Sequence, residues 1–406
     1  VQKQRLGLSL TLLFLFKKME NTKQGNLIKL NFFLTYYGFS SWIVLFNIYL
    51  AQMLHLTGVQ IASIIALQQF NSIWVVPLWG FMADKYGKKK MLVAALAGSA
   101  TLLLGMYIPS EYSAMLAAMF ALSLFYAPIG NLLDSVALEY LTHTHNTNYG
   151  SLRLWASLGW AMGSVVIGRL LSEHSLNYIF VIASLFLLTT SIITFLAMKP
   201  SAKANKSSVA LSHLIAILKT HTRLRWYLLL LLLAGYVSSP TFLFVNMHYA
   251  EIHASYTQTG IAFMFQSLAE LPVFYFSALL LRKFGNRNVL LFTLIVLALR
   301  LFCYGISVNP WFSIFVGISH GITFALMYVA IISLIQKYFP GELRASGQAL
   351  VYSFYFGLGV VLGNLTIGYF KDYLTMAEAM KFMSLVCLVL ISLIVLFTKS
   401  GYYSKL

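Results

Sequence analysis

Stretches of about 20 apolar residues recur along the whole chain, and each can cross a hydrocarbon layer about 30 Å thick. They fall at 29–51, 60–82, 90–108, 112–140, 152–172, 176–197, 225–246, 258–281, 288–306, 309–336, 346–369 and 376–398. The runs are continuous rather than alternating, which marks helices and not barrel strands. Of the 406 residues 59% are hydrophobic and only 10% charged, too few charges to cover a water-exposed surface. The fold class this predicts is an all-α integral membrane protein with twelve transmembrane helices.

The net charge is +17, a value that in a soluble chain would point to nucleic acid. Its distribution points elsewhere. Lys85, Lys88, Lys89 and Lys90 follow the second span; Lys199, Lys203, Lys206, Lys219, Arg223 and Arg225 follow the sixth. Arg282, Lys283 and Arg287 follow the eighth, and Lys337 and Arg344 the tenth. The opposite loops hold only Arg169, Lys371 and Lys381. This is the positive-inside pattern with both termini cytoplasmic, so the charge sets orientation in an inner or plasma membrane and meets anionic lipid. No nucleic-acid partner is implied. Cys303 and Cys387 lie within spans, as small packing residues, and no disulfide framework is visible. The opening segment is basic with a short apolar core but lacks a small-residue cleavage site, and Met19 is a candidate start.

The polar stretch "KPSAKANKSSVALSHLIAILKTHTRL" divides the spans six and six. The expected organisation is an N-terminal segment at 1–28, a bundle at 29–198, a linker at 199–224, a second bundle at 225–398 and a tail at 399–406. The halves echo each other. "LGWAMGSVVIG" (158–168) matches "LGVVLGNLTIG" (358–368), and "DKYGKKKM" (84–91) matches "RKFGNRNV" (282–289), at offsets that differ by two residues. A duplicated six-helix unit in parallel orientation accounts for both. Gly159 and Gly163, like Gly359 and Gly363, form small-xxx-small faces for close helix approach.

With these motifs in hand the chain resembles the major facilitator superfamily. "GFMADKYGKKKM" (80–91) matches that family's signature between spans two and three. "APIGNLLDSVALEYL", "YGSLRLWASLGWAMGSVVIG", "LAELPVFYFSALLLRKFGNRNVLLFTLIVLALR" and "SHGITFALMYVA" resemble spans four, five, eight with nine, and ten of one branch. That branch holds lactose permease, nucleoside:proton symporters and 3-phenylpropionate transporters. The resemblance implies two pseudo-symmetric six-helix bundles rocking about a central site. It also implies that Asp84, with Gly87 and Lys88, forms a conformational latch, the acid capping a facing helix and pairing with a basic group in one state.

Charges within the spans are few, and each costs roughly 2.5–3.5 kcal/mol at helix centre, so each needs a reason. Glu270 lies midway along its span with Gln266 one turn before it on the same face. It either faces a polar cavity, where its protonation can change with access, or pairs with a neighbouring helix. Arg300 is placed to partner Glu270 or its neighbours, or to snorkel outward. Asn131 and Asp134 share a face; the resemblance makes Asp134 a substrate or proton residue, against the alternative of an acid at a helix end, and Glu139 an interfacial one. Arg153 and Trp160 lie two turns apart on one face, and the resemblance implies that they bind a substrate's polar edge and stack on its ring. Anchoring and packing are the competing roles. His320 is a proton relay or substrate hydrogen-bonder, or a neutral histidine satisfied by a neighbour.

The chain departs from lactose permease where Thr323 stands in place of an expected carboxylate. Spans seven and eleven, with Ser238, Ser239, Pro240, Gly357 and Leu358, also lack that protein's buried acid–lysine pair. Glu270, Asp134 and His320 remain as coupling candidates. Polar and aromatic residues at Tyr36, Tyr37, Asn47, Gln68, Gln69, Asn71, Tyr352 and Tyr355 are further candidates for a cavity lining. The functional expectation is a secondary transporter for a sugar, nucleoside or aromatic acid, a monomer coupled to protons by symport. Efflux by proton antiport and a non-transporting receptor are the alternatives. No catalytic motif, cofactor or metal site is expected, and the two histidines of "THTHNTN" read as a solvated turn.

Overall fold

The computed structural model describes residues 2–142, 144, 149–199, 222–338 and 351–399. The linker at 200–221, most of the "THTHNTN" turn, residues 339–350 with Arg344, and the tail from 400 lie outside these. Twelve helices follow in order among the described residues. They are α1 (Gln2–Gln52), α2 (Gly58–Tyr86), α3 (Lys88–Gly105), α4 (Tyr112–Thr142), α5 (Tyr149–Leu171) and α6 (Tyr178–Ala197). The second six are α7 (222–251), α8 (256–284), α9 (286–306), α10 (310–338), α11 (351–373) and α12 (376–399). Ten of these segments are by themselves long and apolar enough to cross a membrane, and α3 and α8 complete the set. Helix is the only economical answer for such runs, because each bonds its own backbone and leaves no polar group to the lipid.

Local chemistry sets the ends. Thr57 and Gln60 form a capping box at the start of α2, and Ser255 and Gln258 form the same box at the start of α8. Glycine ends α2 and α8 at Gly87 and Gly285, with φ of 97° and 74°, a region open to residues without a Cβ. Gly285 thereby separates two helices that otherwise run on continuously. Pro128 interrupts α4, having no N–H to give its ladder.

The paired positions reveal a real pseudo-twofold relation. A Cβ on Gly163 would strike Ser40 Oγ and crowd the Tyr37 backbone; one on Gly363 would strike Ser239 Oγ and the Tyr236 carbonyl. Thus α5 packs on α1 as α11 packs on α7. Across the halves α5 lies against α8 and α2 against α11. At the end that carries the α1–α2 and α7–α8 turns these contacts are backbone-close. Gly168 and Gly260 let α5 and α8 touch, and Gly58 and Gly368 do the same for α2 and α11. Tyr256 Oη donates to Gln52 Oε1 at 2.7 Å there, and Asn246 Nδ2 to the Val44 carbonyl at 3.0 Å. This end is closed, and the space beneath it is the cavity.

Candidate functional site

A cavity of about 470 Å³ lies between the halves, a size that suits a small organic solute. It is built from helix faces at the i, i+3, i+4, i+7 spacing. Residues Ile65, Gln68, Gln69 and Ser72 come from α2; Arg153, Ala156, Ser157 and Trp160 from α5; Phe263, Gln266, Ser267 and Glu270 from α8. Tyr36, Trp42 and Asn47 enter from α1 and Tyr126 from α4. Widened turns add to the α8 face in the second half. Among the described residues π-helical segments occur at Pro240–Phe244, Gly321–Leu326 and Ser353–Gly359, in α7, α10 and α11. They present Thr241, Phe242 and Leu243, Phe324, and Phe356 to the cavity. Such turns displace backbone groups from the α ladder and recur at functional sites.

Glu270, His320 and Arg300 come together from α8, α10 and α9. His320 Nε2 lies 3.3 Å from Glu270 Oε1, and Arg300 Nη1 donates to His320 Nδ1 at 3.0 Å. Arg300 also donates to Thr323 Oγ1 at 2.9 Å and to Tyr304 Oη at 3.4 Å, and is only 2% exposed. A guanidinium has donors and no acceptor, so Nδ1 must carry a lone pair. The imidazole is therefore neutral, with its proton on Nε2, donating to the carboxylate. Arg300 reaches Glu270 only through His320. Phe324 stacks on the same imidazole, with centroids 5.2 Å apart at 11°, and Phe242 meets it edge-on. Glu270 and His320 line the cavity, while Arg300 stands behind them. Gln266 Nε2, one turn before Glu270, is buried without a hydrogen-bond partner among the described residues. The Gln266 side chain lines the cavity, while its Nε2 points back towards Gly317 of α10.

On the opposite wall Arg153 sits over the Tyr36 ring at 4.5 Å and the Phe32 ring at 5.9 Å. Asp134 lies behind it within electrostatic reach and accepts from Tyr149 Oη at 2.8 Å. Trp160 lines the cavity on the Arg153 face, whereas Asn131 is exposed and stands outside the lining. Asp84 is exposed and unpaired among the described residues. Lys88, at the start of α3, binds Glu139 Oε2 of α4 at 3.1 Å, and Gly87 makes the turn between Asp84 and Lys88.

Of the further polar candidates, Tyr36, Asn47, Gln68 and Gln69 reach the cavity. The others are satisfied elsewhere: Tyr37 stacks on Phe186, Asn71 donates to Ser123 Oγ, Tyr352 to Tyr328 Oη, and Tyr355 to Ser238 Oγ. Hydropathy alone did not single out Asn246, which lines the cavity and closes its roof with Asn47. Asn47 Nδ2 donates to the Leu243 carbonyl in the widened turn of α7, and to Asn246 Oδ1 at 3.4 Å. The signal for it is the internal repeat, which sets Asn246 opposite Asn47 at the offset that also relates Tyr236 to Tyr37 and Ser239 to Ser40.

Comparison with known proteins agrees with this architecture. The family model described as MFS_1 like family matches residues 27–382. The chain is 26% identical over 372 residues to maltose permease of Geobacillus stearothermophilus, covering 91% of this chain and 93% of the relative. It is 25% identical over 389 residues to sucrose permease of Escherichia coli, covering 88% and 90%. Both of these relatives are named as permeases. A crystal structure of the nucleoside transporter NupG superposes with a TM-score of 0.81 at 18% identity, over 93% of this chain and 99% of that one. That likeness establishes the fold. The chain belongs to the MFS_1 like family, and is a multi-pass secondary transporter built of two pseudo-symmetric helical bundles.

Proposed function

We propose that this transporter is a monomeric proton symporter that takes up an uncharged, hydroxyl-rich solute, a sugar or a nucleoside, across an inner or plasma membrane with both termini cytoplasmic. The observation that carries the coupling is the chain of contacts from Arg300 through His320 to Glu270, which ends on a carboxylate at the cavity wall. Held as a neutral donor, His320 stabilises Glu270 as an anion. A proton arriving from the cavity goes to the Glu270 oxygen and removes that charge-assisted bond. Substrate and proton then affect each other's binding reciprocally, and only the empty or doubly loaded carrier changes access.

The substrate class rests on the balance of charge around the cavity. Arg153 rests on the Tyr36 and Phe32 faces with the Asp134 and Glu270 carboxylates at longer range, and Arg300 balances the second acid, so an uncharged solute leaves the site near neutrality. What remains available is amide and aromatic surface: Gln68, Gln69 and Trp160. Carboxamides bond hydroxyls, and an aromatic face covers the apolar side of a sugar or a base. Relatives named as sugar and nucleoside permeases support the same choice. The orientation follows the positive-inside distribution of lysine and arginine, which makes the closed end the outer one.

The test is Glu270→Gln in reconstituted vesicles, with the solute first found by thermal stabilisation against a panel of sugars and nucleosides. Accumulation driven by a proton gradient is expected to vanish while equilibrium exchange persists. Undiminished accumulation would assign the coupling elsewhere.

A further inference from the structure

α2 and α11 lie antiparallel across the bundle interface. Gly58 and Ala62 face Gly368 near the outer end, and Ile73 faces Gly357 further in. At the outer end Asp372, in the last turn of α11, accepts from the backbone N–H of Gly58 and, at 3.1 Å, of Val59. The first turn of a helix leaves N–H groups without intrahelical partners and carries a partial positive charge. Thr57 satisfies only the Gln60 N–H, and Gln60 Oε1 returns to the Thr57 N–H. The acceptor for the remaining two donors comes from the opposite bundle.

The neighbourhood keeps Asp372 free for this role. Lys371 beside it is engaged by Glu251 Oε1 of α7 at 2.8 Å, and Glu251 Oε2 accepts from the Met376 N–H at 2.7 Å. On the pseudo-symmetric seam of α5 and α8, among the described residues, no carboxylate accepts from the first N–H groups of α8. Ser172 stands at the position matching Asp372 and meets Thr257 Oγ1 at 3.0 Å. The outer closure is therefore fastened by a carboxylate on one seam and by hydroxyls on the other. Asp84 occupies the far end of α2, exposed and unpaired among the described residues while Asp372 is engaged.

We propose that Asp372 is a positioning residue of the transport cycle. It caps α2 from the opposite bundle to hold the outer face shut, and lets go when the bundles rock. Asp84 is its counterpart at the inner end of the same helix. The two acids are engaged in turn, so losing one shifts the carrier towards the state held by the other.

The test is labelling of Ile65→Cys, on the cavity face of α2, by a membrane-impermeant maleimide, with Cys303 and Cys387 replaced by serine. Cells report one face and inverted vesicles the other, so a reversed orientation shows as the same pattern on the opposite face. No substrate or proton gradient is used, so the outcome is independent of the coupling assigned to Glu270. Asp372→Asn is expected to raise outer-face labelling about five-fold or more, while Asp372→Glu stays near the parent. Asp84→Asn lowers it, and adding Asp84→Asn to Asp372→Asn brings labelling back towards the parent, a return that a merely misfolded chain does not make. Equal labelling of the parent and Asp372→Asn overturns the proposal, as does a double variant that stays as open as the single one.

Discussion

A single side chain carries two different meanings according to what holds it. His320 is an obvious proton carrier in isolation, having the one side chain that ordinarily titrates near neutrality. Here Arg300 donates to its Nδ1, so charging the ring would place two cations in contact within a buried site. In the proposed mechanism the ring serves as a neutral bridge that orients Glu270. Glutamine also offers an acceptor and a donor, and His320→Gln is expected to keep proton-driven accumulation, with an initial rate lower by about ten-fold or less, roughly 1.4 kcal/mol. Uptake measured beside Glu270→Gln separates the roles; loss of accumulation in both would make His320 a carrier after all. His320 and Glu270 were visible in the sequence as ionisable groups at membrane depth. That Thr323 and Tyr304 would hold Arg300 was not, because their hydroxyls resemble dozens of others.

The helices divide into two kinds. Those of the first half among the described residues carry no π-helical turn, although Pro128 interrupts α4, and several of their glycines serve close packing. Three in the second half carry π-helical turns at the cavity, where backbone carbonyls become available. Gly159 shows what the first kind depends on: a Cβ there would run into the Phe33 carbonyl of α1, whereas one on Gly105, at the end of α3, would meet nothing within 4 Å. Gly159→Ala is therefore expected to destabilise the detergent-solubilised protein by about 1–3 kcal/mol and lower its Tm. Gly105→Ala should be neutral or slightly stabilising, by up to about 1 kcal/mol. Thermal unfolding of the two side by side checks the assignment, and equal Tm values would show that the α1–α5 contact is looser than the geometry indicates. The glycine repeat was legible as a pattern in the chain. The π turns were not, since no residue type encodes them and they arise where a helix must accommodate its neighbours.

Across the two bundles the roof of the cavity is a reciprocal clasp, in which Asn47 bonds the α7 backbone and Asn246 bonds the α1 backbone. Asn47→Ala and Asn246→Ala should each cost about 0.5–1.5 kcal/mol, because each removes a buried hydrogen bond between the bundles. The double variant should cost less than the sum, with a coupling of at least about 0.5 kcal/mol in an unfolding cycle. Strict additivity would mean that the two sides of the roof act independently. Twelve apolar runs, the glycine repeat, the duplication and the membrane class could all be read from the chain. Each depends on neighbours a few residues apart, or on the demand that a backbone in lipid satisfy itself. The meeting of Asp372 with Gly58, 314 residues away, could not be read there. Nor could the exposure of Asn131, the Tyr149 partner of Asp134, or the order Arg300, His320, Glu270. Those depend on how far each helix is turned about its axis and how deep it sits. Packing between helices sets both, and an apolar run constrains neither.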